Sequence, residues 1–189
     1  MITKKFKVGN IMDTPKGKVK ILEYTPGKTL PNNKHTHPRV TIRFVDSGWV
    51  CNVEAHNLVK GKVRDRRAKT VCGVGYLDTD MKIPKRGTSI IRRVYDLWAS
   101  MLHRCYTGKK HCYADCTVDV RWHSFKNFLN SVQELEGYDR WERGEEDMEL
   151  DKDIKVKGNK VYSADTCMFV TAHENMEDNL DRRWHSKTS

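Results

Sequence analysis

Long apolar runs are missing from this 189-residue chain: no window approaches 18 consecutive apolar residues, so the sequence predicts no membrane span. The opening MITKKFKVGN has no apolar stretch after its lysines and does not read as a secretory signal. A tight disulfide framework is also missing. The six cysteines stand at 51, 72, 105, 112, 116 and 167 without paired spacing, which points to a reduced, cytoplasmic setting. Apolar residues are scarce, at 38% against 32% charged, and this limits the size of any core. Five Trp, seven Tyr and five Phe nonetheless need burial, which argues against disorder.

Acidic residues are short in one half only. Residues 1–93 carry 21 Lys and Arg against 7 Asp and Glu, a net of +14, whereas residues 94–189 carry 14 against 18. The basic half holds two clusters, Lys60, Lys62, Arg64, Arg66, Arg67 and Lys69, then Lys82, Lys85, Arg86, Arg92 and Arg93. Neutralising phosphates releases counterions, so such a half-chain points to a nucleic-acid partner. The carboxylates of the second half read either as metal ligands or as a solvated face.

The pattern predicts an α+β protein. Residues 1–75 read as a small β-rich module. Lys18–Tyr24 is β-prone, Arg39–Val45 alternates with Val40, Ile42 and Phe44 on one face, Asp46-Ser47-Gly48 signals a turn, and Trp49–Val53 resumes the strand. Its strand number and turn spacing suggest a small antiparallel sheet or barrel, SH3-like in outline. Pro26–Pro38 reads as a loop, and residues 76–93 as a basic linker. In residues 94–189, Val94, Leu97, Trp98, Met101, Leu102 and Cys105 mark a helix ending near Gly108. Cys116–Val120 reads as a strand. Trp122, Phe125, Phe128, Leu129, Val132 and Leu135 mark a second helix stopped by Gly137, and Tyr138–Asp147 reads as a polar loop. Trp98 and Trp122 on these stripes belong in a core. Met148–Ile154 and Cys167–Val170 read as strands. Thr171 and Glu174 form a capping box for a helix reaching about Leu180.

Asp151 and Asp153, two apart on the expected strand Met148–Ile154, fall on one face. Paired carboxylates suit a hard divalent ion such as Mg²⁺ or Mn²⁺. The following helix brings Asn175 and Asn179 to one face, so Asp153 and Asn175 can ligate one ion if strand and helix pack together. The alternative is an exposed acidic strand. His103, Cys105, His111, Cys112 and Cys116 lie within 14 positions, and Cys112 and Cys116 have ligand spacing for a structural Zn²⁺, although a second close cysteine pair is missing.

The run Leu150-Asp151-Lys152-Asp153-Ile154, then Gly158-Asn159-Lys160, then Tyr162 to Thr171, then His173-Glu174-Asn175, resembles the HNH (ββα-metal) nucleases, most closely the homing-endonuclease-like proteins of bacteriophages. Upstream, Tyr95, Trp98, Met101, Leu102, Arg104, Cys105 and Tyr106, with Cys116, Thr117, Val118, Trp122, Phe125, Asn127 and Phe128, resemble the segments that precede this unit in phage members. The likeness implies a C-terminal ββα-metal unit and a magnesium-dependent endonuclease that nicks or cleaves double-stranded DNA in the cytoplasm of an infected host. Residues 94–189 would be its helical segment and nuclease domain. It implies catalytic positions at Asp153, Asp151, Asn175, Asn159 and Ser163, with the metal at Asp151 or Asp153 and Asn175. The pattern departs at one place. Asp153, preceded by Lys152, stands where these enzymes carry the general-base His, and an ordinary aspartate is a weaker base than histidine. Ser163 falls near the central Asn position. A catalytically weakened nucleic-acid binder, or an inhibitor of a host nucleic-acid enzyme, is the alternative.

Overall fold

The computed structural model describes residues 5–108, 113–145 and 147–185, the last five by backbone alone. The protein is a mixed α and β chain in two compact units, residues 1–68 and 69–189. No described helix is long and apolar enough to cross a membrane.

The first unit is an antiparallel meander of β1 (Ile11–Thr14), β2 (Gly17–Thr25), β3 (Arg39–Phe44) and β4 (Val50–Glu54) in sequential order. The period-two pattern decides which face is buried. Val19, Ile21, Val40, Ile42 and Phe44 are buried, while Lys18, Lys20, Arg39 and Arg43 stay exposed. α1 (Ala55–Val59) adds Ala55 and Leu58 to this core, and Phe6 and Val63 complete it. The strand β1 and the helix α1 are additions to the elements expected from sequence.

The second unit is built on α2 (Ile90–Tyr106), whose N-terminus is capped by Ser89 accepting from the Arg92 amide. Val94, Trp98, Met101 and Leu102 form its buried stripe. The Trp98 indole donates to the Trp122 carbonyl at 2.7 Å, which lets a large ring be buried without an unmet donor. Residues 69–93 group with this unit. Tyr76 bridges Ser124, and Leu77, Ile83, Ile90 and Ile91 pack on the core, so the expected linker lies against its own domain and ends inside α2.

Next come β5 (Thr117–Val118), a 3₁₀ turn at Val120–His123 and α3 (Phe125–Val132), with Ser124 capping α3. The stripe from Trp122 to Leu135 is buried as the spacing predicts, but it spans two short elements. The expected polar loop at 138–147 is corrected. Tyr138–Arg143 is a helix, α4, because Tyr138 and Trp141 bury against Phe169, the Trp141 and Phe169 rings stacking at 5.1 Å.

β6 (Met148–Asp151) pairs antiparallel with β8 (Met168–Thr171), while β7 (Val161–Tyr162) in the connecting loop pairs parallel with β5. α5 (Ala172–His185) follows β8 without a break and packs on both β6 and β8. Its start is the expected capping box. The Glu174 amide donates to Thr171 Oγ1 at 3.1 Å, and the Thr171 amide donates to Glu174 Oε2 at 2.7 Å.

Candidate functional site

The loop leaving β6 is shaped by side chains that return to its backbone. Asp151 ends the strand, and its Oδ1 accepts from the amides of Asp153 and Ile154 at 2.6 and 2.7 Å. This corrects the expected strand to Ile154 and the shared face of Asp151 and Asp153. A carboxylate committed to two amides turns the chain, so Asp153 sits in the bend beyond the strand. Asp151 is therefore a structural anchor, 8% exposed. Asn159 does similar work: its amide donates to the carbonyls of Lys152 and Val161 at 2.9 and 2.7 Å, closing the loop. Ser163 is buried and pairs with Thr166 Oγ1 at 2.9 Å. Of the five residues expected to be catalytic, Asp151, Asp153 and Asn175 line one cleft, and Asn159 and Ser163 shape the loop beside it.

That cleft encloses about 530 Å³ between the end of β6, the first turns of α5 and the last turn of α2. Part of its lining carries side-chain oxygens. Glu149, Asp153, Asn175 and Asn179 line it, and the Asn175 amide donates to Glu149 Oε2 at 2.8 Å. Asn179 donates to Asn175 Oδ1 at 3.2 Å, so these two amides do share a face. Two cations line it as well. Lys152 is only 5% exposed and forms an ion pair with Asp153 at 2.5 Å. Arg104 reaches in from α2, and both cations face the rings of Tyr113 and Tyr162. Burial pushes the Tyr162 phenol far up, so that ring faces the two cations uncharged.

Sequence reasoning missed Glu149, Arg104, Tyr113 and Tyr162. Glu149 stands next to the expected ligands, and its pairing with Asn175 follows from the β6–α5 packing. Arg104 sits beside the apolar stripe of α2, where its neighbour Cys105 packs against the core, and no spacing links it to residues some fifty positions later.

The expected DNA contacts divide. Lys60, Lys62, Arg64 and Arg67 are exposed in the first unit, and Arg66 is half-buried there. Arg67 also lies over the Trp49 ring at 5.8 Å. Lys82, Lys85 and Arg86 are exposed in the second unit. Arg92 and Arg93 are committed elsewhere. Arg92 pairs with Asp96 and donates to the Pro84 carbonyl. Arg93 donates to the carbonyls of Trp141 and Glu142 and lies over the Trp141 ring at 4.4 Å, which explains why α4 forms where a loop was expected.

Of the expected zinc cluster, His111 and Cys112 lie outside the described residues. Among the described residues no group of three or more His, Cys, Asp or Glu could hold a metal. Cys105 is half-buried against the core and its thiol is pushed up to about 11 by burial, while Cys116 is fully buried. The magnesium expectation makes a lighter demand. Mg²⁺ keeps several waters and binds through one or two carboxylates plus a substrate phosphate, and the Glu149, Asp153 and Asn175 oxygens fit that donor chemistry. Comparison with protein-family models, with curated proteins and with solved structures finds no match to this chain.

Proposed function

We propose that the chain is a metal-dependent DNA endonuclease of HNH-like type, with β6, the loop to β8, and α5 as its ββα-metal unit. The observation that supports this reading is one cleft lined both by carboxylate and amide oxygens, from Glu149, Asp153, Asn175 and Asn179, and by two cations, Arg104 and the buried Lys152. A phosphodiester with a divalent ion needs both kinds of partner. Asp153, Asn175 and Glu149 would hold the ion. When bound, Mg²⁺ or Mn²⁺ supplies Lewis-acid stabilisation of charge developing on the phosphate. Asp153 stands at the general-base position of the resembling family. The exposed Lys60, Lys62, Arg64, Lys82, Lys85 and Arg86 would contact the duplex backbone and set the salt dependence.

Supercoiled plasmid incubated with Mg²⁺ or Mn²⁺ should yield nicked or linear product. Asp153→Ala should abolish cutting and keep salt-sensitive DNA binding. Failure of the wild-type chain to cut, or full cutting by the variant, would refute the proposal.

A second reading has its own support. The Lys152 ammonium pairs with the Asp153 carboxylate, and no histidine is among the described residues that line the cleft. A nucleic-acid binder without catalysis fits that arrangement. It predicts tight binding with no product at any metal concentration.

A further inference from the structure

We infer that Arg104 and Lys152 form a phosphate-oxygen site in the cleft, which holds the phosphodiester to be cut. This deepens the nuclease reading and rests on it for the identity of the ligand, though not for the existence of an anion site.

The starting observation is an unmet donor. Arg104 Nε is buried and has no hydrogen-bond partner among the described residues. A buried charged donor left unpaired is costly, and native structures rarely keep one without a ligand or water to receive it. Arg104 also makes no ion pair with any described carboxylate.

The second observation is its neighbour. The Arg104 guanidinium and the Lys152 ammonium face the same two rings: Arg104 stands 5.6 Å from Tyr113 and 5.6 Å from Tyr162, and Lys152 stands 6.0 and 5.5 Å from them. Two cations brought to one pair of rings repel each other. Asp153 pairs directly with Lys152.

Both cations are held in place before any ligand arrives. Arg104 lies in the last turn of the 17-residue helix α2. Lys152 follows β6, with its carbonyl tied by Asn159 and the next amide tied by Asp151. A planar guanidinium beside a point-charge ammonium suits a tetrahedral oxyanion that offers several oxygens. Both cations line the cleft that holds Asp153 and Asn175, so a phosphate bridged between them would lie beside the oxygen ligands.

The test separates this site from the nuclease reading. Arginine Nε–H signals of the full chain are followed by ¹⁵N NMR in EDTA, with the Arg104 signal assigned by its loss in Arg104→Lys. Inorganic phosphate is added in one titration and a short DNA duplex in another. A saturable shift of the Arg104 signal in both supports the site, and Lys152→Met should weaken the phosphate response at least about tenfold. A shift with phosphate alone makes it a site for free phosphate and overturns the assignment to nucleic acid. An unmoved signal in both overturns the proposal, and that reading is made on the wild-type chain. Plasmid cutting with an unmoved signal and an unaltered rate in Arg104→Lys retains the nuclease and removes this site. Saturable shifts without cutting retain the site and remove the nuclease.

Discussion

Replacing Gly137 by Ala tests how the cleft is held, because a second glycine supplies the control. Gly137 and Gly144 flank α4 with nearly identical backbones, at φ 78° and 79°. Each alanine variant pays the left-handed penalty, about 1 kcal/mol. Their surroundings differ. A Cβ on Gly144 meets nothing within 4 Å, whereas one on Gly137 runs into the Phe169 carbonyl oxygen and comes within 3.1 Å of Phe169 Cβ. That obstacle is backbone in β8 and cannot rotate away. Relief requires shifting β8, which strains the 2.8 Å bond from the Phe169 amide to the Glu136 carbonyl and the stack of Trp141 on Phe169. Each is worth about 1 kcal/mol. Gly137→Ala should therefore cost about 3 kcal/mol against about 1 for Gly144→Ala, a difference of roughly 10 °C in Tm. Urea titrations followed by tryptophan fluorescence give both values, since Trp141 lies at the contact. Because β8 runs directly into α5, Gly137→Ala should also weaken whatever the cleft binds, and Gly144→Ala should not. Equal losses for the two variants would refute the claim that close approach to β8 makes Gly137 necessary.

Other outcomes follow from the same geometry. Thr171→Ala removes the capping box and should cost about 1 kcal/mol in chemical denaturation, with Thr171→Ser restoring most of it. Hydrogen bonds from the Thr171 amide and hydroxyl hold the Glu174 carboxyl below its ordinary value, so its contribution is full above the unfolded carboxyl range and is lost as pH falls through the lowered folded value. Stability measured from about pH 6 to about pH 3 should accordingly fall less steeply in Glu174→Gln than in the parent. Asp151→Ala strips two part-buried amides of their acceptor and should destabilise the second unit by about 2 kcal/mol, read as a lowered midpoint in chemical denaturation. Burial pushes the Cys105 and Cys167 thiols up to about 11 and about 12, so mass spectrometry after brief iodoacetamide treatment near pH 8 should find both unlabelled. Rapid labelling of either in the folded chain would contradict that burial.

Periodicity alone determined a good part of this protein. The alternation of Val40, Ile42 and Phe44 dictates a half-buried strand, and the stripe from Val94 to Leu102 dictates an amphipathic helix, because side-chain spacing and backbone repeat are the same geometry. The Thr171–Glu174 box was equally legible, since a cap is a local hydrogen-bonding problem with few solutions. The order of strand, loop, strand and helix at the C-terminus followed from these local signals. Tertiary structure decided what local signals cannot weigh. Tyr138–Arg143 is polar in composition, yet it is helical because Phe169 and Arg93, distant in sequence, bury Tyr138 and Trp141. Asp151 and Asp153 look equivalent in a strand, but a carboxylate that finds two free amides ends the strand, so one becomes an anchor and the other pairs with Lys152 in the bend beyond it. Arg104 entered the site only through the packing of α2 against the loop after β6. Chemistry assembled from separate elements depends on the contacts between them, and spacing along the chain does not encode those contacts.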